Sequence, residues 1–264
     1  MRVFLACRSR ERTAPVIEEI RRLGIGAQAE WLPLELSSFN SVCAYAATFL
    51  ERGLPLHLLV NNAGLAGARG LTPSGFEFVF GVNHMGHFLL TQLLLGRLRE
   101  SAPARVVTVA SRAHIHALGI NWVALRRPTA TLLGIREYAV SKLANVLFSA
   151  ELGRRLRDSG VTTYALHPGV IDSDIWRRLP GPLRALNRLR LVSVEEGAKT
   201  TLHCALAPAL ADETALYYSD CRPVQPSPVG QDAVLAAELW QRSEAWLHDD
   251  GGLLRAKRAL ARCA

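Results

Sequence analysis

The feature that most restricts the fold of this chain is a regular alternation of short apolar runs with longer helical stretches. An alternation of strand and helix predicts a doubly wound α/β fold, in which helices cover both faces of a parallel sheet. The predicted strands are Val3–Cys7, Gln28–Leu34, Leu56–Asn61, Arg105–Ala110, Thr162–Leu166 and Leu216–Ser219. The predicted helices are Thr13–Leu23, Phe39–Arg52, Pro73–Arg99, Glu137–Asp158, Val194–Ala207 and Val234–Leu247. A proline-rich loop is predicted from Arg222 to Pro228.

Length and composition indicate one domain over residues 1–264. The chain has 264 residues, of which 49% are hydrophobic, enough to bury one substantial core. No run reaches the roughly 18 uninterrupted apolar residues that a membrane span needs. The five cysteines are an odd number and form no Cys-x-x-Cys pair, which argues against a disulfide framework or a metal site. We therefore expect a reducing compartment and no bound metal.

The net charge of +8 raises the question of nucleic-acid binding. Arginines cluster at residues 8–12, at 177–190 and near the C-terminus. No aromatic residues interleave with them as a stacking platform for bases would require. The distribution of charge therefore disfavours a nucleic-acid partner.

Tyr138 and Lys142 are four positions apart in the sequence, a spacing that places both on one face of a helix. The chain contains only three lysines, so a Tyr-x-x-x-Lys pair is informative here. A free phenol has a pKa near ~10, and a nearby ammonium favours the phenolate. The pair predicts a phenol with a lowered pKa that exchanges protons. The alternative is an ordinary exposed helix pair.

Several further motifs accompany this pair in a definite order along the chain. They are Val60-Asn61-Asn62-Ala63-Gly64, Gly81-Val82-Asn83-His84-Met85-Gly86-His87-Phe88, Arg105-Val106-Val107-Thr108-Val109-Ala110-Ser111 and Leu166-His167-Pro168-Gly169-Val170. Their order resembles the short-chain dehydrogenase/reductase superfamily. Ala6-Cys7-Arg8, Asn83–Leu90 and Ser141–Asn145 are most similar to its retinol dehydrogenase-like branch. The resemblance extends from Val3 to about Trp240.

The resemblance implies a catalytic set of four residues. Tyr138 would be the acid/base, and Lys142 would lower its pKa and hold the nicotinamide ribose. Ser111 would hydrogen-bond the substrate oxygen, or would merely cap a strand end. Asn83 would anchor a water-linked proton relay, or would merely satisfy a neighbouring backbone group.

The resemblance also implies a cofactor site, with NADP favoured over NAD. An acidic residue after the first visible strand would accept ribose hydroxyls, whereas this chain has Arg8 and Arg10, which are suited to a 2′-phosphate. The alternative is that these arginines only solvate a loop. Glu35 stands where the family usually has an aspartate beside the adenine. The remaining contacts implied for the cofactor are Asn61, Ala63 and Gly64 on the adenosine side, Pro168, Gly169 and Val170 on the nicotinamide side, and Tyr138 with Lys142.

The family's Gly-rich phosphate turn, which precedes the strand that begins here at Val3, has no counterpart in this sequence. We therefore expect a Rossmann fold truncated at its N-terminus, with the strands at Val3–Cys7 and Leu56–Asn61 either paired directly or facing an open gap. Such a chain is expected to bind a dinucleotide weakly and to associate through exposed edges.

Two functions remain open. The first is an NADP(H)-dependent oxidoreductase that interconverts a lipophilic alcohol, retinoid-like or other, and its aldehyde or ketone. The second is a catalytically silent truncated isoform, acting as a binding module or existing as an unstable fragment. Apolar and basic residues alternate over Ile175–Leu189, which in the family covers the substrate. We expect a small lipophilic substrate, possible membrane-surface contact without a span, a possible homodimer, and a location in the cytoplasm or on an endoplasmic reticulum-like membrane.

Overall fold

The computed structural model describes residues 2–24, 26, 28–169 and 193–249, and these residues form an α/β fold. The strands are β1 Arg2–Cys7, β2 Gln28–Pro33, β3 Leu58–Asn61, β4 Ala104–Val109, β5 Val161–His167, β6 Leu216–Ser219 and β7 Arg222–Pro223. The helices are α1 Arg10–Arg22, α2 Phe39–Leu50, α3 Phe78–Glu100, α4 Ile135–Arg155, α5 Val194–Leu206 and α6 Ala233–Asp249. Short 3-10 turns cover Arg112–His116, Ala124–Arg126, Pro208–Leu210 and Pro228–Gln231. The predicted α/β class is confirmed.

The core lies where β4 and β5 are covered by helices. Nearly every residue of these two strands is buried, as expected for parallel strands with both faces covered. Helix α3 is apolar and long enough to cross a membrane by composition alone, but 78% of its most apolar window is buried within the fold. Burial of this kind is typical of the core helix of a soluble protein.

The strands form two separate sheets. β1 pairs with β2 in parallel, and the second sheet has the order β3-β4-β5-β6-β7. Its pairs are parallel except for β6 with β7. Among the described residues no ladder joins β1 to β3, so the expected direct pairing of these two strands is not formed. A single hydrophobic cluster nevertheless contains Leu32 from β2 and Val106 from β4.

Several boundaries differ from the predicted ones, and local capping or strand pairing explains some of the differences. Helix α1 begins at Arg10 rather than Thr13, since the Ser9 side chain accepts a hydrogen bond from the Arg12 N–H. Helix α3 begins at Phe78 rather than Pro73, since the Glu77 carboxylate accepts from the Phe80 N–H. The predicted proline-rich loop contains the short antiparallel strand β7.

Helix α3 has an irregular turn that carries Asn83. Residues Gly81–Met85 form a π-turn, a widening that frequently marks functional sites. Gly86 follows at once, and a Cβ atom there would lie 2.4 Å from the backbone oxygen of Leu36. The missing side chain therefore allows α3 to approach the loop that precedes α2.

Candidate active site

The carboxyl ends of three parallel strands bring candidate site residues to one edge of the larger sheet. Asn61 ends β3, Ser111 lies two residues beyond β4, and His167 ends β5. Ligands of open α/β sheets bind at this edge. Helix α4 packs against the same region and carries Tyr138 and Lys142.

Tyr138 is buried and shares a small apolar cluster with Ala66, Ala68 and Val79. Burial raises the pKa of its phenol, and a hydrogen bond with the Ser111 hydroxyl acts in the opposite direction. The net shift is upward. The expectation of a lowered pKa is therefore wrong for these residues by themselves, because removal of the phenol from water outweighs the other influences on it.

Lys142 is only 1% exposed, and its Nζ lies 5.7 Å from the centre of the Tyr138 ring. The ammonium donates to the Val109 carbonyl oxygen at 2.9 Å, and the Asn145 amide donates to the same oxygen at 3.3 Å. No carboxylate of the described residues forms an ion pair with it. Burial lowers the pKa of Lys142 to about 8.

Asn83 is fully buried and uses its whole side-chain amide to join two elements. Its Oδ1 accepts from the Leu65 N–H at 2.9 Å, and its Nδ2 donates to the Leu65 carbonyl and the Ser141 hydroxyl, each at 3.0 Å. These contacts match the alternative in which Asn83 satisfies neighbouring backbone. They also tie the loop after β3 to helix α4, next to Tyr138. Its part in a proton relay stays a prediction.

The loop after β3 offers both polar and open positions. Asn61 donates through Nδ2 to the Thr91 hydroxyl at 3.0 Å, whereas its buried Oδ1 has no hydrogen-bond partner within the described structure. Ala63 is exposed and Gly64 is half-buried. The loop therefore presents accessible backbone next to the buried amide.

The remaining predicted cofactor residues lie at other points of the same edge. Pro168 and Gly169 follow β5 and are half-buried, while Val170 lies outside the described residues, as does the Ile175–Leu189 segment. Arg8 and Glu35 follow β1 and β2 and form an ion pair at 3.3 Å. Arg10 is the exposed first residue of α1.

Sequence reasoning missed two contributors. Thr91 is the partner of Asn61, but a lone threonine in a helix gives no signal. His114 contacts the backbone beside Ser111, and it also lines a cavity of about 500 Å³ next to that serine. The other residues lining this cavity are Arg112, Ile115, Tyr217, Ser219, Asp220, Arg222, Val224 and Gln225.

Comparison with known sequences agrees with this geometry. The sequence model of the short chain dehydrogenase family matches residues 1–124. Retinol dehydrogenase 12 from Bos taurus is 44% identical over 245 residues, which are 92% of this chain and 77% of that protein. Retinol dehydrogenase 11 from Mus musculus is 40% identical over 246 residues, with the same shares covered.

Solved structures give the same result. An uncharacterized protein from Mycobacterium paratuberculosis matches with a TM-score of 0.71 and 31% identity, over 92% of this chain and 83% of that one. A variant of actinorhodin polyketide ketoreductase, solved with NADPH, matches with a TM-score of 0.61 and 25% identity, over 87% and 88% of the two chains. With its Tyr-x-x-x-Lys helix, its strand-end serine and these relatives, the chain belongs to the short-chain dehydrogenase/reductase family of oxidoreductases, in the retinol dehydrogenase-like branch.

Proposed function

We propose that this chain is an NADP(H)-dependent oxidoreductase that interconverts a lipophilic alcohol with its aldehyde or ketone. The observation that carries the proposal is the buried Lys142 ammonium, which lies beside the Tyr138 ring without a carboxylate partner among the described residues. A buried charge without a counter-ion destabilises a fold. Ionisable groups in such surroundings are concentrated at functional sites.

The proposed proton donor and acceptor is the Tyr138 phenol. Because burial raises its pKa, the phenol is protonated at neutral pH, which is the form that protonates a carbonyl oxygen. The Ser111 hydroxyl, which bonds the phenol, orients the substrate oxygen. Lys142 places positive charge next to the phenolate that forms when the proton leaves. A bound nicotinamide supplies or accepts the hydride.

The residues around Lys142 fit the ribose and nicotinamide portion of such a cofactor. The Lys142 ammonium has three N–H donors, and one of them bonds the Val109 carbonyl oxygen. The unpartnered Oδ1 of Asn61 is a buried acceptor that a ligand hydroxyl could satisfy. We assign ribose binding to Lys142 and Tyr138, adenosine-side contacts to Asn61, Ala63 and Gly64, and nicotinamide-side contacts to Pro168, Gly169 and Val170.

The phosphate groups of the cofactor would be contacted by arginine side chains. The loop from β3 to α3 contains Gly64, Gly67, Gly70 and Gly75, but their spacing differs from the family's Gly-x-x-x-Gly-x-Gly turn. No turn with that spacing leads from a strand into a helix within the described ranges. The proposed 2′-phosphate contacts are Arg8 and Arg10, at the end of β1 and the start of α1. Arg8 would exchange its ion pair with Glu35 for the phosphate, while Arg10 forms no ion pair with a described residue.

The proposed substrate site is the cavity beside Ser111. Ile115, Tyr217 and Val224 supply apolar surface, and the other six lining residues are polar or charged. The volume of about 500 Å³ suits a small molecule that has an apolar part and a polar group. The retinol dehydrogenase relatives support a lipid-like alcohol or aldehyde as substrate. Contact with a membrane surface and pairing of two copies are proposed on the same resemblance.

A second function is favoured by β1 and β3, which no ladder joins among the described residues. A catalytically silent protein would keep the substrate cavity but bind no dinucleotide. It would act as a binding module, or would associate through its free strand edges.

The deciding experiment is reduction of all-trans-retinal by NADPH, catalysed by purified residues 1–264 and by the variant Tyr138→Phe. Loss of the positioned acid should lower kcat/KM by at least ~100-fold. Tyr45→Phe is the matched control, because Tyr45 is also buried but lies on α2, away from the site. Near-normal turnover by Tyr138→Phe would exclude the phenol as proton donor. A wild-type chain without turnover or NADPH binding would support the second function.

A further inference from the structure

The peptide group that follows Ser111 is held at both of its polar atoms by histidine side chains. Its carbonyl oxygen, on Ser111, accepts from Nδ1 of His114 at 2.7 Å. Its N–H, on Arg112, donates to Nδ1 of His167 at 3.3 Å. The two imidazoles come from different elements, the 3-10 turn after β4 and the end of β5. Hydrogen bonds at both polar atoms fix the orientation of the Ser111–Arg112 peptide group.

The partners of each ring determine its tautomer. A carbonyl oxygen only accepts, so Nδ1 of His114 carries a hydrogen. Nε2 of His114 accepts the N–H of Ser227 at 3.1 Å and is therefore unprotonated. Nδ1 of His167 accepts an N–H and is likewise unprotonated. Both rings are neutral, and protonation of either would set a donor against a donor.

The surroundings of the two rings favour this neutral state. Burial lowers the pKa of His114, the hydrogen bond to the Ser111 carbonyl opposes that shift, and His116 acts in the same direction as burial. Burial also lowers the pKa of His167 to about 4, where Arg112 and His114 act in the same direction and Asp220 opposes them. The Tyr217 ring stacks edge-on against His114 at 5.0 Å. Both imidazole hydrogen bonds to this peptide group are therefore formed at neutral pH.

We propose that His114 and His167 are positioning residues that hold the Ser111 hydroxyl against the Tyr138 phenol. This inference rests on the proposed function and deepens it. The Ser111 hydroxyl accepts from the Ala113 N–H at 3.2 Å within the same turn, so rotation of the next peptide would displace it. Small displacements of a catalytic group are costly, because proton transfer requires close alignment. The contact from His114 to Ser227 also ties this turn to the segment that leads into α6.

Two substitutions of His114 separate its two hydrogen bonds. The amide of an asparagine side chain lies where Nδ1 of histidine does, whereas that of glutamine reaches the place of Nε2. His114→Asn should therefore keep the bond to the Ser111 carbonyl and lose Ser227, and His114→Gln should do the reverse. We expect kcat to fall by ~10-fold or more in His114→Gln with KM nearly unchanged, and by less than ~3-fold in His114→Asn. The same order is expected for His167→Asn and His167→Gln.

The matched controls are His116→Asn and His116→Gln, since His116 is exposed on the same turn and should tolerate both changes. Equal kcat values for the Asn and Gln variants of His114, with an active wild type, would overturn the inference and leave the proposed function intact.

A second measurement needs no turnover. Imidazole nitrogen chemical shifts in the wild-type chain should identify His114 as the Nδ1–H tautomer and His167 as the Nε2–H tautomer at pH 7. The opposite tautomers, or titration of both rings near their ordinary pKa, would overturn the inference even if the chain proved inactive.

Discussion

Gly86 should be far less tolerant of a methyl group than Gly96 on the same helix. Both glycines lie in the regular part of α3, so alanine suits the backbone at each position. A Cβ at Gly86 would lie 2.4 Å from the Leu36 oxygen and 2.8 Å from the Leu36 Cβ. A Cβ at Gly96 would meet nothing within 4 Å. Comparing Gly86→Ala with Gly96→Ala therefore separates the effect of close packing on stability from the effect of helix propensity.

The expected magnitudes follow from these distances. Gly96→Ala should raise the free energy of unfolding by about 0.5–1 kcal/mol, through helix propensity alone. Gly86→Ala gains the same amount, but α3 must move by about 1 Å from Leu36 to relieve the contact, and overpacking of this kind costs about 1–3 kcal/mol. The two variants should therefore differ by about 1–3 kcal/mol in stability.

Urea unfolding followed by circular dichroism measures this difference directly, provided that both variants have the same m-value. The shift of α3 should also disturb Asn83, which lies one turn before Gly86 and bonds Leu65 and Ser141. Retinal reduction should accordingly fall in Gly86→Ala and stay unchanged in Gly96→Ala. Equal midpoints for the two variants would refute the close approach at Leu36.

Three further outcomes are expected. Replacing Arg8 and Arg10 together by alanine should weaken NADP binding much more than NAD binding, because charge-assisted bonds to phosphate are strong; equal weakening in calorimetric titrations would contradict the assigned contacts. Burial lowers the pKa of His84 from 6.5 to about 3, so the stability that its neutral ring contributes is complete above pH 6.5 and is lost as the pH falls towards 3. Between pH 7 and pH 5 the wild type should thus lose about 2 kcal/mol more than His84→Gln, and parallel urea midpoints across that range would be the contrary result. Lys142→Met should abolish turnover yet stabilise the chain by about 1–3 kcal/mol, since it removes a buried ammonium that pairs with no carboxylate of the described residues, while Asn145 still satisfies the Val109 carbonyl. A less stable variant would show that the charge is compensated.

The sequence predicted the order of the elements because hydrophobic periodicity is local and the strands at Arg105–Ala110 and Thr162–Leu166 are nearly continuous apolar runs. Errors arose at helix starts, where one capping side chain decides the boundary. Ser9 and Glu77 are such caps, and neither is distinctive in the sequence.

The sequence predicted which residues form the candidate site, but not their burial or their contacts with distant segments. Motif order was enough to expect Ser111, Tyr138 and Lys142 in one place, and the structure brings them together. The spacing of Tyr138 and Lys142 predicted the wrong direction for the shift of the Tyr138 pKa, because desolvation of the phenol depends on packing from several distant segments. The contact of His114 with Ser227 likewise spans 113 residues, a relation that no local pattern encodes.

The division of the strands into two sheets has a consequence for how the chain opens. Among the described residues no ladder crosses from β1 to β3, so the β1–α1–β2 segment is joined to the rest by side-chain contacts. Examples are the packing of Phe4 against Phe49 and the ion pair between Glu30 and Arg52. The β1–α1–β2 segment should therefore detach as a separate cooperative unit at lower free energy than the rest. Its strand amides would exchange with deuterium well before those of β4 and β5, which lie at the centre of the larger sheet.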